Sequence, residues 1–310
     1  MARYIVSKLV YMVLTLLILA TATFFLMKAI PGDPFMGEKK LPPAIYKNML
    51  EKYGLDQPIY KQYIQYMNNL FHFDLGSSMK RQHLTVNKII SSSFENSAKL
   101  GVVAIIVSVI VGIGLGVIAA LYHRKLLDSV TTIAAVIGVS IPSFVLGPLM
   151  QYFFGVKLRW FDVSGLNDPL DYVMPVIALS ALPIAFIARL TRSNMIEVMN
   201  ADYIKTARSK GLARSLVVYR HSLRNAILPV VTYLGPMTAN IITGTVVVER
   251  IFGISGLGKY FVESVSTRDY TLIMGLTLFY AIVLMVARFL TDVAYGLIDP
   301  RIKLARKGGA

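Results

Sequence analysis

The chain alternates between long apolar runs and shorter polar stretches, and six of the runs have the length of a membrane span. An apolar stretch of about 18 residues or more can cross the hydrocarbon core of a bilayer as a helix. The pattern therefore predicts an all-α, polytopic membrane protein with six transmembrane helices. The predicted spans cover residues 9–30 and about 100–122, 130–154, 172–190, 227–248 and 272–297.

The first apolar run could belong to a cleaved signal peptide, because Ala20-Thr21-Ala22 resembles a signal-peptidase site. The run continues past that site to Met27 and is longer than the apolar region of a usual signal peptide. We therefore expect residues 1–30 to form a cytoplasmic tip and a retained first helix.

Residues 31–97 are the only sizeable polar region outside the spans, and Pro31 and Pro34 end the first helix ahead of it. Short helices are predicted at Pro43–Tyr53 and Ile59–Phe71. The region is small for an independent domain, so we expect it to pack against the spans or a partner. Its aromatic side chains form either a small local core or a binding face.

Six spans place both termini on one side of the membrane, and the basic residues indicate which side. The N-terminus, the first turn, residues 189–224 and the tail together hold 16 lysines and arginines against four acids. Twelve of the fifteen net positive charges thus lie on one face, which the positive-inside rule makes cytoplasmic. Residues 31–97 are then extracytoplasmic and the tail, residues 300–310, is cytoplasmic. The orientation of the chain in the membrane accounts for its net positive charge, so no nucleic-acid partner is expected.

The composition narrows the chemistry. Hydrophobic residues make up 55% of the chain and charged residues 16%, which excludes an ordinary soluble globular protein. The chain has no cysteine, which excludes disulfides, thiolate zinc sites and a cysteine nucleophile. The four histidines have no metal-ligand spacing, and no catalytic triad or carboxylate pair stands out. We therefore expect no enzyme, no metal site and no cofactor bound by this chain itself.

Residues Gly253 to Lys259 match the first seven positions of a phosphate-binding P-loop. The eighth position is Tyr260, where Mg²⁺ binding needs Ser or Thr. The predicted topology also places this stretch outside the cell. A turn followed by a short helix is favoured, and an ATPase using residues 253–259 is the rival hypothesis.

Several residues within the predicted spans could be functional. Arg288 and Asp292 lie four residues apart in the sixth span, so they share a helix face and can pair. Such a pair is either a gate or proton relay, or a neutralised pair near the cytoplasmic end. Arg189 and Arg192, at the end of the fourth span, are expected to extend their charges to the interface.

Glycine and proline indicate how the spans pack. Gly112, Gly114 and Gly116 alternate in the second span and allow another helix to approach its backbone closely. Pro142 and Pro148 predict kinks in the third span, which membrane helices tolerate when neighbours satisfy the freed carbonyls.

The segment Asp202–Pro229 separates the fourth and fifth predicted spans and is basic and amphipathic. Two short helices are predicted, with Asp202 at the N-cap or in the first turn and Gly211 at the C′ position after the first helix. Ile204 and Ala207 share one face of that helix. A charged helix pair of this kind performs no chemistry alone and is typical of a surface that a partner holds.

This segment resembles the cytoplasmic coupling loop of inner-membrane permease subunits of ABC importers. Lys205-Thr206-Ala207 matches the generic EAA motif only at its last alanine, and Leu228-Pro229 follows about five residues later than in the generic pattern. The peptide and nickel branch of the family shares these departures, and DYIKTARSKGL from Asp202 and RHSLRNAILP from Arg220 fit its form. Further matches are Pro31-Gly32-Asp33-Pro34, Thr191-Arg192-Ser193, Glu249 to Gly258 and Asp299-Pro300-Arg301.

The resemblance implies the type I ABC importer permease fold, with residues 95–299 as the permease domain and 191–226 as the ATPase-coupling loop. It implies a subunit of the cell membrane that translocates oligopeptides, since Gly37-Glu38 and Leu41-Pro42-Pro43 are most similar to oligopeptide permease B subunits. A dipeptide or nickel permease of the same branch is the alternative. A stand-alone channel or secondary transporter is the rival from another class.

The resemblance also implies the partners and the coupling residues. The partners are a second homologous permease subunit, two ATPase subunits that use ATP and Mg²⁺, an extracytoplasmic peptide-binding protein, the peptide and membrane lipid. The coupling residues are Asp202, Tyr203, Ile204, Thr206, Ala207, Gly211, Leu212 and Leu216, and Leu228 and Pro229 end the loop. Ile204, Ala207, Leu212 and Leu216 are expected to be the apolar contacts with the ATPase. No substrate-binding residue is assigned.

Overall fold

The computed structural model describes residues 2–30, 32, 34–35, 42–81 and 83–298. The described chain is helical, and its only strand-type pairing is an isolated bridge between Ser77 and Thr85. The predicted all-α fold class is confirmed. The helices are α1 Ala2–Ala29, α2 Pro43–Lys52, α3 Ile59–Phe71, α4 Val86–Leu121, α5 Leu126–Ser140, α6 Ser143–Met150, α7 Val173–Met199, α8 Asp202–Ser209, α9 Arg214–Leu216, α10 Arg224–Ala226, α11 Leu228–Ile251, α12 Leu257–Thr267 and α13 Tyr270–Ile298.

Shorter helical segments connect some of these elements. A 3₁₀ turn, Pro169–Tyr172, leads into α7, and π-helices cover Gln151–Lys157 and Val217–Leu223. The predicted cytoplasmic tail, residues 300–310, lies outside the described residues. So do these residues of the sequence motifs: Pro31, Asp33, Gly37, Glu38, Leu41 and Asp299.

Within the described residues, five helical stretches are long and apolar enough to cross a membrane. They are α1, α4, α7 with its 3₁₀ turn, α11 and α13. The pair formed by α5 and Ser143–Lys157 passes the same test together and gives a sixth span if it is counted as one. The number therefore agrees with the sequence prediction when the bent pair is one span.

The third predicted span, 130–154, is not one kinked helix. α5 ends at Ser140, and the helical axis turns by 102° before it resumes at Ser143. Ile141 is extended, with φ −97° and ψ 112°, because a residue before proline is disfavoured in the helical region. Pro142 then stands at the N-cap of α6, where its missing N–H costs no helical hydrogen bond.

Two other helix ends differ from the predicted span ends. α4 begins at Val86 rather than near residue 100, because Thr85 caps it by accepting the Lys88 backbone N–H at 3.2 Å. The last part of the predicted extracytoplasmic segment is therefore helix. α7 continues to Met199, so the first part of the predicted coupling loop is also helical.

The chain divides into two compact units. The first contains the described residues of Met1–Asn96 together with Ser255–Met285. The predicted short helices of the 31–97 region are present here as α2 and α3. Buried Asp269 caps α13 through the Leu272 N–H at 3.2 Å and accepts the Met79 N–H at 3.1 Å. One carboxylate thus holds the loop before α4 against the start of α13.

The second unit contains Ser97–Ile254 and the described residues from Val286 onward. Its core is built from α4, α6, α7 and α11, with Ile187 and Met237 among its fully buried side chains. α4 packs closely on α7 through two glycines. A Cβ on Gly112 would lie 2.7 Å from the Ile187 Cβ, and one on Gly116 would lie 2.6 Å from the Ala188 carbonyl oxygen. Gly114 faces open space, so only two of the three predicted glycines serve this contact.

Candidate functional site

Helix α8 begins and ends as the sequence of the Asp202–Pro229 segment predicts. Ala201 is the N-cap, and Asp202 lies in the first turn, where a carboxylate favours the helix dipole. Gly211 follows the C-cap with φ 75°. Its N–H bonds the Arg208 carbonyl at 2.9 Å, and the Leu212 N–H reaches the Ala207 carbonyl at 3.4 Å. This pattern is a Schellman motif, and it turns the chain directly into the next helical run.

A small core joins α8 to the helical run that follows it. Ile204 and Val217 are 0% and 2% exposed, and they pack with Ala207 against Val198 at the end of α7. Burying an aliphatic side chain of this size contributes about 1.5–3 kcal/mol. The expectation that Ile204 and Ala207 contact a partner is therefore wrong for this structure, because their side chains are already covered within the chain.

The outer surface of the same pair remains accessible. Its apolar members are Tyr203, Leu212, Leu216 and Tyr219, which are 47%, 37%, 39% and 75% exposed. We call these four side chains the exposed apolar patch. Tyr219 escaped the sequence analysis, although an aromatic residue in a basic stretch could have indicated it.

Charged and polar groups belong to the same helix pair as the exposed apolar patch. Asp202 is paired with Lys205 at 2.8 Å, and the Thr206 hydroxyl donates to the Asp202 carbonyl at 3.1 Å. Arg208, Lys210 and Arg214 are exposed. The Asn225 amide donates to the Tyr203 hydroxyl at 3.1 Å and links α8 to the end of the loop. The exposed surface of the helix pair thus carries both apolar and basic side chains.

The loop is helical up to one residue before α11. α9, the π-helix Val217–Leu223 and α10 follow one another, and Ile227, a turn residue, separates them from α11. Leu228 is the first residue of α11, and Pro229 stands in its first turn, where proline lacks no helical hydrogen bond. The exposed apolar patch is therefore connected to a candidate membrane span by helical segments with a single turn residue between them.

The end of α7 carries an ion pair that the sequence analysis missed. Arg192 contacts the Asp128 carboxylate with both Nε, at 2.5 Å, and a terminal nitrogen, at 2.9 Å. The buried Asp128 also accepts the Arg124 N–H at 2.9 Å and lies 3.2 Å from His123 Nδ1. Such two-point pairs are among the strongest hydrogen-bonded contacts. The charge of Arg192 is thus paired with the start of α5, and its extension to the membrane interface stays a prediction.

The structure places Arg288 and Asp292 four residues apart on α13, as predicted, with Arg288 exposed and Asp292 half-buried. Their role as a pair, gate or relay stays a prediction.

The P-loop-like stretch is a turn between two helices. Gly253 has φ 61°, Gly256 caps α12, and the stretch follows helix α11. A phosphate-binding P-loop instead follows a β-strand. Ile254 and Leu257 are each 1% exposed, so these positions serve packing.

Comparison with known families covers nearly the whole chain. Residues 112–304 match the family described as "Binding-protein-dependent transport system inner membrane component". Residues 1–111 match the family described as "Binding-prot-dependent transport system membrane comp, N-term". The chain belongs to the binding-protein-dependent transport system inner membrane component family. The predicted membership is confirmed, and the chain is a multi-pass membrane permease subunit.

Full-length relatives of this transport family include two kinds of peptide permease. The dipeptide transport system permease protein DppB of Bacillus subtilis is 47% identical over 308 residues, which is 99% of this chain and 100% of that protein. The oligopeptide transport system permease protein OppB of Salmonella typhimurium is 42% identical over 305 residues, 98% of this chain and 100% of that protein. The similarity thus extends to the dipeptide and oligopeptide permeases, two of the three groups that the sequence analysis weighed.

Solved structures show the same fold. An inward-facing structure of the MetNI methionine ABC transporter aligns with a TM-score of 0.57 and 16% identity, covering 68% of this chain and 96% of that chain. A structure titled "Crystal structure of an amino acid ABC transporter with histidines" aligns with a TM-score of 0.52 and 18% identity, covering 67% and 94%. The predicted ABC importer permease fold is confirmed.

Proposed function

We propose that this chain is a membrane-spanning subunit of an ATP-driven importer that carries peptides across the cell membrane. The observation that supports the proposal most directly is the full-length identity of 47% and 42% to dipeptide and oligopeptide permeases. The substrate is a peptide delivered by an extracytoplasmic binding protein. A second homologous permease subunit completes the pathway, and two ATPase subunits supply the energy from ATP and Mg²⁺.

The exposed apolar patch is the part of the chain that docks on an ATPase subunit. Exposed apolar and aromatic side chains of this kind are typical of the part of a protein interface that a partner covers. The exposed basic residues Arg208, Lys210 and Arg214 fit an acidic cleft on the partner. Ile204, Ala207 and Val217 hold the helix pair together from inside, so the pair moves as one body. Motion imposed on the patch is then transmitted through α9, the π-helix and α10 to α11.

This proposal places the termini in the cytoplasm. The basic residues of the 189–224 segment, the turn before α5 and the tail all belong to the same face, in keeping with the positive-inside rule. ATP is cytoplasmic, so an ATPase-docking surface must lie on that side. The charge distribution and the docking surface therefore favour the same orientation.

Docking is tested by co-purification of the ATPase subunits with variants of this chain. Leu216→Asp places a charge in the exposed apolar patch and should lower the amount of bound ATPase at least tenfold. Leu126→Asp is the matched control, because Leu126 is 78% exposed at the start of α5, outside the patch. Undiminished ATPase binding by Leu216→Asp would sink the docking assignment.

Substrate class is tested separately, by uptake into proteoliposomes that contain the complete importer. A dipeptide, a pentapeptide and Ni²⁺ are compared as substrates. The uptake of each is measured with ATP in the compartment that the ATPase subunits face and with ATP only in the other compartment. We expect peptide uptake that depends on ATP. The comparison of the dipeptide with the pentapeptide then gives the preferred peptide length. Uptake of Ni²⁺ alone would assign the nickel alternative, and peptide uptake by this chain without ATPase subunits would assign a stand-alone transporter.

A further inference from the structure

The first unit encloses a cleft of about 290 Å³ between the end of α1, α2, α3 and the start of α13. At about 30 Å³ for each water in the liquid, this equals the volume of about ten waters. Apolar side chains form much of its wall, including Phe24, Met27, Met79 and Met274. The cleft is therefore large enough for a small charged group with an apolar attachment.

Lys28 brings a positive charge into this cleft. Its side chain is half-buried, its ammonium donates a hydrogen bond to the Gln62 amide oxygen, and it lies 5.7 Å from the centre of the Phe24 ring. Among the described residues, no carboxylate lies within ion-pair distance of this ammonium. A partly buried charge without a counter-charge is costly, so the site favours an anion.

The remaining charges of the cleft preserve this preference. Lys52 also lines it, and among the described residues the one acidic lining residue is Asp74, which is exposed and accepts the Gly76 N–H at 2.9 Å. Tyr66 lines the cleft as well, and burial raises the pKa of its hydroxyl to about 12, so it stays protonated and neutral. The described lining residues therefore carry a net positive charge at neutral pH.

The position of the cleft along the helices indicates where the anion comes from. α1 is a candidate span that ends at Ala29, one residue after Lys28, and α13 is a candidate span that begins at Tyr270, which also lines the cleft. The cleft therefore lies at the ends of two spans, at the level where lipid headgroups are found. This is the extracytoplasmic end if the proposed orientation holds.

Helix α3, which lines the cleft, adds a second observation. It lies along α1, with a 2.8 Å hydrogen bond between the Thr21 and Tyr63 hydroxyls and stacked rings of Phe25 and Tyr63. Thr21 precedes Ala29 by eight residues, which is about 12 Å along the helix at 1.5 Å per residue. The contact between α3 and α1 therefore extends into the apolar part of the span.

The opposite side of α3 carries an exposed apolar stripe. Tyr60, Ile64 and Phe71 are 61%, 62% and 69% exposed. A helix that lies beside a span and turns such a stripe outward is typical of a membrane interface. Acyl chains that cover this stripe would hold α3, and with it the cleft on its other side, at the membrane interface.

We propose that the cleft binds the phosphate group of a membrane phospholipid, with Lys28 as its charge partner. The apolar wall of the cleft, which includes Phe24 and Met27, receives the acyl chains of the same lipid. The bound lipid fixes α3 to α1 and supports the extracytoplasmic segment. The inference does not depend on which substrate the importer carries.

The test uses the purified full-length chain in detergent and native mass spectrometry. Phosphatidylglycerol is titrated onto the wild type, Lys28→Gln, Lys28→Arg and Lys61→Gln. Lys61 is the matched control, because it is an exposed lysine of α3 that does not line the cleft. We expect Lys28→Gln to weaken lipid binding at least tenfold, Lys28→Arg to retain it and Lys61→Gln to match the wild type.

Two further ligands distinguish a lipid phosphate from a free phosphate as the anion that the cleft binds. Diacylglycerol, which lacks the phosphate, should bind the wild type and Lys28→Gln equally weakly. Inorganic phosphate at millimolar concentration should not displace the lipid. Equal phosphatidylglycerol affinity of Lys28→Gln and wild type, with both melting at the same temperature, would overturn the site. Displacement by inorganic phosphate would overturn the lipid assignment in favour of a free-anion site.

Discussion

The contact between α4 and α7 allows one substitution to be compared at two positions of the same helix. In Gly116→Ala, the new methyl group would lie 2.5 Å from the Thr191 Cβ and 2.6 Å from the Ala188 carbonyl oxygen. In Gly114→Ala, it would meet nothing within 4 Å. The two variants differ in one respect, which is whether a neighbouring helix occupies the space.

The size of the effect follows from these distances. Carbon atoms in contact lie about 3.5–4.0 Å apart, so α4 and α7 would have to separate by about 1 Å at Gly116. The Ala188 carbonyl belongs to a helical backbone and cannot rotate away. Overpacking of this kind costs about 1–3 kcal/mol. Replacing glycine by alanine also raises helix propensity by about 1 kcal/mol, but this gain is the same at both positions and cancels in the comparison.

The prediction is that Gly116→Ala has a free energy of unfolding about 1–3 kcal/mol below that of Gly114→Ala. It is measured by titrating the purified protein in mild detergent with sodium dodecyl sulfate and following helix content by circular dichroism. Gly112→Ala should resemble Gly116→Ala, because its methyl group would lie 2.7 Å from the Ile187 Cβ. Equal unfolding free energies for the Gly114 and Gly116 variants would refute the close approach of the two helices.

Three further predictions concern other parts of the chain. Gly211→Val places a β-branched residue at φ 75°, which should cost about 1–2 kcal/mol of folding free energy and reduce peptide uptake. Gly211→Asn should keep most of the uptake, because asparagine adopts positive φ more readily. Equal uptake by the two variants would argue against the turn. Arg192→Met should destabilise the chain by about 2 kcal/mol, because it leaves the buried Asp128 carboxylate without its guanidinium, and adding Asp128→Asn should recover part of the loss in the same titration. The isolated chain should bind no ATP, and Lys259→Ala should leave transport by the complete importer unchanged; ATP binding that this substitution abolishes would restore residues 253–259 as a nucleotide site.

The sequence predicted the features that depend on local chemistry. Apolar runs placed the long helices, and the C′ position of Gly211 followed from glycine's freedom to adopt positive φ, observed at 75°. The turn at Gly253 could be told from a P-loop by one residue, Tyr260. Each of these features is decided within a few residues of sequence, so periodicity and capping rules are sufficient.

Features that depend on distant contacts could not be predicted in the same way. Arg192 and Asp128 are 64 positions apart, and nothing in either local sequence indicates the other. Gly112, Gly114 and Gly116 look alike in sequence, and only the position of α7 separates the two that are covered from the one that is not. Ile204 has the amphipathic spacing of a docking residue, but Val217 and Val198 had to be placed in space before its burial was known.

The π-helix Val217–Leu223 fixes the rotation of the helical segment before it relative to the segment after it. Val217 and Ser222 are both buried, at 2% and 0% exposure, although residues five apart on an α-helix point about 140° away from each other. The wider i to i+5 turn of a π-helix brings them to one side. This segment therefore sets the rotational phase between the exposed apolar patch and α11. Removing one residue from it would leave both ends helical and turn one by about 100° relative to the other. The number of residues between Gly211 and Pro229 is thus a constraint on direction, because a different spacing would present the exposed apolar patch at a different rotation relative to α11.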